Sequence, residues 1–299
     1  MDFALDARTL ELREQLTAFM DEHVYPAESV YREQMRASGD ANHHPQVLED
    51  LKAEARSQGL WNLFHPHPEW GPGLTNLEYA HLAEITGRSI EIAPEAINCN
   101  APDTGNMEVL TLFGTDEHKE RWLGPLLTGE VRSAFAMTEP AVASSDATNI
   151  ETSMVRDGDE YVINGEKIYV TAGSRATHIV VWATLDKSQG RAAIKSFIVP
   201  REHPGVTVER LEHKLGIKAS DTAAIRFVDA RIPKENLLGS PEIKTDKGFA
   251  GVMQTFDNTR PIVAAMAVGV NPSSGRLDAS PSAASLSARA ARPQNSSTS

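Results

Sequence analysis

The chain has 299 residues, 40% of them hydrophobic and 23% charged, enough to bury one large core or two smaller ones. A formal net charge of −12 argues against nonspecific nucleic-acid binding, because neutralising phosphates takes clustered Lys and Arg, and a polyanionic ligand must therefore find a local basic site. The longest nearly uninterrupted apolar run, Pro261 to Val270, is far short of the ~20 residues of a bilayer span, and no basic segment followed by an apolar one opens the chain as an export signal does, which favours a cytoplasmic location.

From Ala7 to His23, the residues Leu10, Leu12, Leu16, Phe19 and Met20 recur mostly at helical spacing, with Asp6 as N-cap and Pro26 just beyond the end. Further helices are expected over Pro45 to Ser57, Asn76 to Gly87, Thr104 to Phe113 and Glu117 to Leu127, several closed by Gly. Trp61 to Thr75 is dense in Pro, Gly and aromatics and reads as an ordered loop. His43 with His44, and His65 with His67, lack metal-ligand spacing on a helix, and Pro66 and Pro68 put the second pair in a loop, so no metal site is expected. Cys99 is the single cysteine; it excludes an intrachain disulfide, fits a reducing compartment and reads as a small buried residue rather than a nucleophile.

Beyond Arg132 the period changes. Tyr161 to Val170, with Asn164 and Gly165 at its centre, has the turn signature of a type I′ hairpin. Ile179 to Thr184, Ala193 to Val199, Val206 to Glu209 and Ala223 to Val228 follow as β-branched or apolar runs without helices between them, which points to an antiparallel barrel or sandwich. Gly248 to Phe256 returns to helical spacing, and Pro261 should kink or restart that helix. Asn271 to Ser299 holds nine Ser, six Ala and three Pro with almost no large apolar residue, and is expected to be disordered, either as a natural tail or as a frameshift or gene-model artefact. The expected class is α+β: an all-α N-terminal domain at 1–132, an antiparallel β-barrel-like middle domain at 133–244, the start of a helical C-terminal domain at 245–270, and a tail at 271–299.

Three motifs stand out from this framework. The first is Ala134, Phe135, Ala136, Met137, Thr138, Glu139, Pro140, Ala141, Val142, Ala143, Ser144, Ser145, Asp146. The second is Gly165, Glu166, Lys167, Ile168, Tyr169, Val170, Thr171, Ala172, Gly173. The third is Phe256, Asp257, Asn258, Thr259, Arg260, Pro261. Read singly, they are a strand end before a small-residue turn, a β-rich strand, and a helical turn bearing a surface ion pair. Neither GxGxxG after a strand nor GxxxxGK[ST] occurs, so neither a Rossmann loop nor a P-loop is supported.

Together the motifs closely resemble those of the acyl-CoA dehydrogenases, and the resemblance covers nearly all of residues 1 to 270. It implies FAD as cofactor, with Phe135 and Met137 supplying backbone contacts, Thr138 a hydroxyl to the flavin, and Ser144 touching flavin phosphate or substrate. Tyr169, where family members often carry Trp, would pack along the ring beside Val170, and Thr171 would lie near N5. Asp257 and Arg260 would meet the pantetheine or CoA portion of an acyl-CoA substrate. The segment Asn98 to Leu110, with Ala101, Pro102, Asp103, Thr104, Gly105, Asn106 and Met107, resembles a branch of the family sometimes fused behind a phosphotransferase-like domain, and by that resemblance lines the acyl pocket or the flavin edge. The implied reaction is α,β-dehydrogenation of an acyl-CoA thioester to a trans-2-enoyl-CoA, with an electron-transfer partner and a homo-oligomer for the complete family fold. The family's catalytic Glu falls after Val270, where this sequence has no Glu, so no catalytic residue is assigned. A non-catalytic fragment or binding module stays open beside the enzyme, as do an acyl-CoA oxidase and a flavin monooxygenase on the same fold.

Overall fold

The computed structural model describes residues 4–40, 43–142, 146–243 and 250–270. Helix α1 (Ala7–Phe19) starts where the Asp6 carboxylate accepts the Thr9 N–H at 2.7 Å, satisfying a donor that the first helical turn leaves free. The helical path does not stop before Pro26. A π-turn over Met20–Val24 leads directly into α2 (Tyr25–Ser38), so Pro26, which has no N–H to offer the preceding turn, falls where the regular helical ladder is already interrupted; Gly39 closes α2 at φ 67°. Helix α3 (Gln46–Ser57) follows, then α4 (Asn76–Gly87), opened by a reciprocal cap in which Thr75 bonds the Glu78 N–H and Glu78 bonds the Thr75 N–H. The short α5 (Ala93–Ala96) precedes α6 (Asp103–Phe113). Helix α7 (Asp116–His118), a π-turn over Lys119–Leu123 and α8 (Gly124–Thr128) make one continuous run. Leu16, Phe19, Leu48, Leu60, Leu82, Leu110 and Leu126 are buried in the helical core.

The strands are β1 (Ser133–Ala136), β2 (Ser153–Asp157), β3 (Glu160–Thr171), β4 (His178–Thr184), β5 (Ile194–Pro200), β6 (Val206–Leu211), β7 (Thr222–Pro233) and β8 (Leu237–Leu238). They form one mixed sheet in the order β6-β7-β3-β2-β4-β5-β8, mostly antiparallel, with β1 lying parallel on β4 so that Phe135 is opposite Val180. Every residue of β4 is buried because both faces are covered: Ile179, Val181 and Ala183 enter the sheet core while Val180 reaches the helical core.

Asn164 and Gly165 do not form the hairpin turn. The β2–β3 turn is at Gly158 and Asp159, and β3 runs on through Gly165, where its register against β7 shifts. A Cβ on Gly165 would lie 2.5 Å from Thr152 Oγ1, and Asn164 bonds Asp229 at 3.1 Å, so this pair is a strand bulge under close backbone approach. Bulges and tight turns select the same residues, which is why the local pattern misleads.

Helix α9 (Ala250–Gly269) passes through Pro261 without a break. Pro261 is exposed, and its ring removes one N–H from the helical ladder. The helix is held by tight packing on α4: a Cβ on Gly87 would fall 2.0 Å from the Met266 carbonyl oxygen, and one on Gly269 would fall 1.9 Å from that of Glu84. Residues 271–299, expected to be disordered, lie outside the described residues. Among those described, no helix is long and apolar enough to cross a membrane.

Ion pairs stitch the helices to the sheet. Arg132, just ahead of β1, pairs with Glu95 and with Asp103, the latter at 2.5 Å, and Lys52 stands 3.2 Å from Glu95. Burial alone would raise the Glu95 carboxyl, but Arg132, Lys52 and Arg175 hold it well below the usual carboxylate range. Arg175 bonds Asp221 at 3.2 Å and His44 Nδ1 at 2.9 Å, so both histidine and arginine serve the junction.

Candidate functional site

A cleft of about 470 Å³ opens where α6 and α9 face β1, the loop after it and β3. On the strand side its lining includes Phe135, Met137, Thr138, Ile168, Tyr169 and Thr171; on the helix side it includes Thr104, Gly105, Glu108, Phe256, Arg260 and Met266. Three segments separated by tens of residues in sequence thus meet at one wall-to-wall site. Its mouth and floor differ in exposure: Tyr169 is 63% exposed, whereas Phe64 and Cys99 are buried.

The strand wall owes its shape to a bulge. Between Lys167 and Val170 the register of β3 against β7 shifts, and Tyr169 takes φ 57°, a left-handed conformation unusual for a bulky residue. That kink turns the Tyr169 ring out over the cleft, while Val170 stays fully buried in the sheet core. Val170 could therefore touch a ligand only through its backbone, which the alternation of an unbulged strand would not have revealed. The Ile168 N–H donates to the Thr138 carbonyl at 2.9 Å, pinning the loop after β1 to β3.

A buried ion pair reinforces this junction. Lys167 Nζ donates to Glu139 Oε1 at 2.8 Å and to the Met137 carbonyl at 2.9 Å, and the Glu139 carboxylate also accepts the N–H groups of Glu151 and Thr152. Burial pulls Lys167 down to about 8 against the opposing charge of Glu139, while Lys167 and the two amide donors hold Glu139 below its usual range against the desolvation that would raise it. Both residues lie inside the quoted motifs, where sequence alone assigns them no role. The available signal was a charge of each sign in otherwise apolar or small-residue segments.

On the helix side, the Phe256 ring packs 6.0 Å from Phe135, and the Arg260 guanidinium lies 4.8 Å over Phe256. Arg260 lines the cleft; Asp257, also exposed, is absent from the lining although it stands three positions away. Ser144 lies outside the described residues. Ala101, Pro102, Thr104 and Gly105, from the segment before and within α6, line the cleft, whereas Asp103 turns away to Arg132 and the Ser133 N–H. Glu108 is a lining residue that sequence reading overlooked; burial raises its carboxyl to about 7, against the effect of a hydrogen bond from Asn258. Cys99, at the floor, is buried, and its thiol is pushed up to about 11 by desolvation, which makes it a poor nucleophile. His65 packs edge-on and His67 tilted against the Trp70 ring, and no group of three or more metal-ligating side chains occurs among the described residues.

The wall suits a flavin. Tyr169, whose ring is exposed, lines the cleft together with Thr138 and Thr171, so the lining includes one flat apolar side chain and two hydroxyl-bearing ones, the chemistry that a heteroaromatic ring with a polar edge takes.

The acyl-CoA dehydrogenase N-terminal domain matches residues 6–130, and the acyl-CoA dehydrogenase middle domain matches residues 134–230. A probable acyl-CoA dehydrogenase of Mycobacterium tuberculosis, FadE2, is 48% identical over 256 residues, covering 84% of this chain and 61% of the relative. Among solved structures, a putative acyl-CoA dehydrogenase from Mycobacterium abscessus is 40% identical with TM-score 0.80, over 89% of this chain and 67% of that one. Butyryl-CoA dehydrogenase from Megasphaera elsdenii is 30% identical with TM-score 0.73, over 90% of this chain and 67% of that one.

Proposed function

The chain belongs to the acyl-CoA dehydrogenase family, and on that premise we propose that its cleft binds FAD and an acyl-CoA thioester for α,β-dehydrogenation to a trans-2-enoyl-CoA. The observation that carries this reading is the convergence of Thr138, Tyr169, Thr171 and Arg260 on one cleft from three separate motifs. FAD, when bound, supplies the acceptor for the β-hydride. Thr138 and Thr171 would hydrogen-bond the polar edge of the ring, and preorganised groups there stabilise the charge that builds on reduction. Tyr169 would cover a ring face. The apolar lining from Phe135, Met137, Phe256 and Met266 excludes water, so that hydrogen bonds to the thioester carbonyl retain their strength in acidifying the α-proton. Arg260 would meet an anionic part of CoA, with Asp257 and Ser144 as further proposed contacts. An electron-transfer partner and self-association are proposed with the family reaction.

Removal of the α-proton takes a carboxylate placed opposite the hydride acceptor. The one carboxylate among the described lining residues is Glu108, which is buried away from the mouth. This favours a second reading, that the cleft binds both ligands and turns over little. The chain spans 61% of the length of the Mycobacterium tuberculosis relative.

Anaerobic mixing of the flavin-reconstituted chain with a panel of acyl-CoAs, followed by absorbance, separates the two. Rapid bleaching with enoyl-CoA formation establishes the dehydrogenase in this chain. Bound flavin whose spectrum shifts with acyl-CoA but does not bleach establishes the binding module. Failure to bind either ligand overturns both.

A further inference from the structure

Glu108 is the one carboxylate among the described lining residues of the cleft, and it is almost fully buried. On α6, Thr104 and Glu108 stand four positions apart and share a face; on α9, Thr255 and Thr259 do the same, and all four line the cleft. The two helices run close here, since a Cβ on Gly105 would touch Thr259 Cγ2 at 3.9 Å. They build a polar seam that runs from half-buried Thr104 and Thr259 to buried Glu108 and Thr255, beside apolar lining from Phe64, Ile262 and Met266. Glu108 is only 4% exposed, and although Asn258 bonds its carboxyl, Oε2 has no hydrogen-bond partner. A buried polar atom left without a partner in a native fold calls for a ligand or a water to satisfy it.

We propose that Glu108 makes the buried end of this cleft selective for acyl chains carrying a hydroxyl at or near their far end, the hydroxyl bonding the Oε2 that the protein leaves unpaired. The inference rests on the cleft being the acyl-CoA site: with flavin on the strand wall and CoA toward Arg260, the far end of the chain points to Glu108. A plain alkyl chain reaching that depth would seal Oε2 from water and give nothing back. A hydroxyl both donates and accepts, so it serves the carboxylate and the carboxylic acid alike. The carboxyl, raised by burial to about 7, is close to balance between these forms. Asn258 is the α9 neighbour acting on it; Cys99 at the floor stays a thiol, and Tyr169 and Arg260 lie toward the open side.

The test is calorimetric binding of hexanoyl-CoA and 6-hydroxyhexanoyl-CoA to the full chain at pH 6 and pH 8. The wild type should hold the hydroxylated ligand about tenfold more tightly at pH 8, one charge-assisted hydrogen bond's worth. Its affinity for hexanoyl-CoA should fall from pH 6 to pH 8, because the covered carboxyl must then be neutralised. Glu108→Leu should abolish the preference and the pH dependence together. Glu108→Gln, close to isosteric and never charged, should lose the pH dependence while keeping part of the preference, and it decides the matter should the Leu variant fail to fold. Equal affinities in the wild type at pH 8, or a preference that survives Glu108→Leu, overturns the role of Glu108 and leaves the acyl-CoA site standing. No binding of either ligand overturns both.

Discussion

His178 is a ring with neither nitrogen hydrogen-bonded, fully buried at the start of β4 and packed 4.8 Å from the Trp122 ring. Desolvation lowers it to about 4 from an ordinary 6.5, so between those values the unfolded chain binds a proton that the folded chain refuses. The stability this group permits is complete above pH 6.5 and is lost as the pH falls toward 4. Between pH 7 and pH 5 the loss should be about 2 kcal/mol. His178→Phe, which keeps an aromatic ring against Trp122, should flatten that decline; urea midpoints of both proteins at pH 5 and pH 7 would expose the idea as wrong if they fell in parallel. The threonines at the cleft wall make a different prediction. Thr171→Val and Thr138→Val each remove one proposed hydrogen bond and no packing volume, so each should weaken FAD binding by about three- to tenfold with little change in melting temperature. Fluorescence titration with FAD measures it, and unchanged affinity in both variants would remove the hydroxyls from the site.

At the scale of elements, the helix termini follow from local chemistry and the crossings do not. Asp6 before α1 and the Thr75–Glu78 cap before α4 are visible as residue patterns. The course of the chain through Pro26 is not, because a proline in a first helical turn and a proline after a helix end look alike in one dimension. The crossing of α4 and α9 depends on Gly87 and Gly269, whose missing side chains let the two backbones touch. Gly87→Ala would drive a methyl into the Met266 carbonyl, and since backbone cannot step aside as a side chain can, the variant should lose about 1–3 kcal/mol. The same change should quicken proteolysis within α9, which carries Phe256 and Arg260 to the cleft. A Gly87→Ala protein with wild-type stability and an equally resistant α9 would show that the helices can separate without penalty.

For the whole molecule, the junction between helices and sheet is electrostatic as well as apolar. Arg132 answers two buried carboxylates, Glu95 and Asp103, so its loss strands negative charge in the interior. Arg132→Met should destabilise the fold by about 3–5 kcal/mol, far more than a surface pair would. Urea unfolding measures this, and a loss under about 1 kcal/mol would mean that Lys52 and water suffice as counter-charges.

Much of this protein is legible in one dimension because it is written in local chemistry. The helical first part, the strand-rich middle and the return to helix follow from hydrophobic period, which reports which face of each element is buried. The motifs around Thr138, Tyr169 and Arg260 carry the resemblance to the family as contiguous residue patterns, and each contributes lining to the one cleft. Other features were decided only when distant segments met. Asn164 and Gly165 sit in a bulge, Gly165 under the close approach of Thr152 and Asn164 bonded to Asp229; Val170 turned inward because the preceding bulge reset the alternation. Lys167 and Glu139 are unremarkable charges until burial makes each the other's necessary partner. Glu108 is one more charged residue on a helix until α9 closes over it, removes its water and leaves Oε2 facing the cleft alone. Desolvation belongs to the assembled interior, and no stretch of sequence contains it.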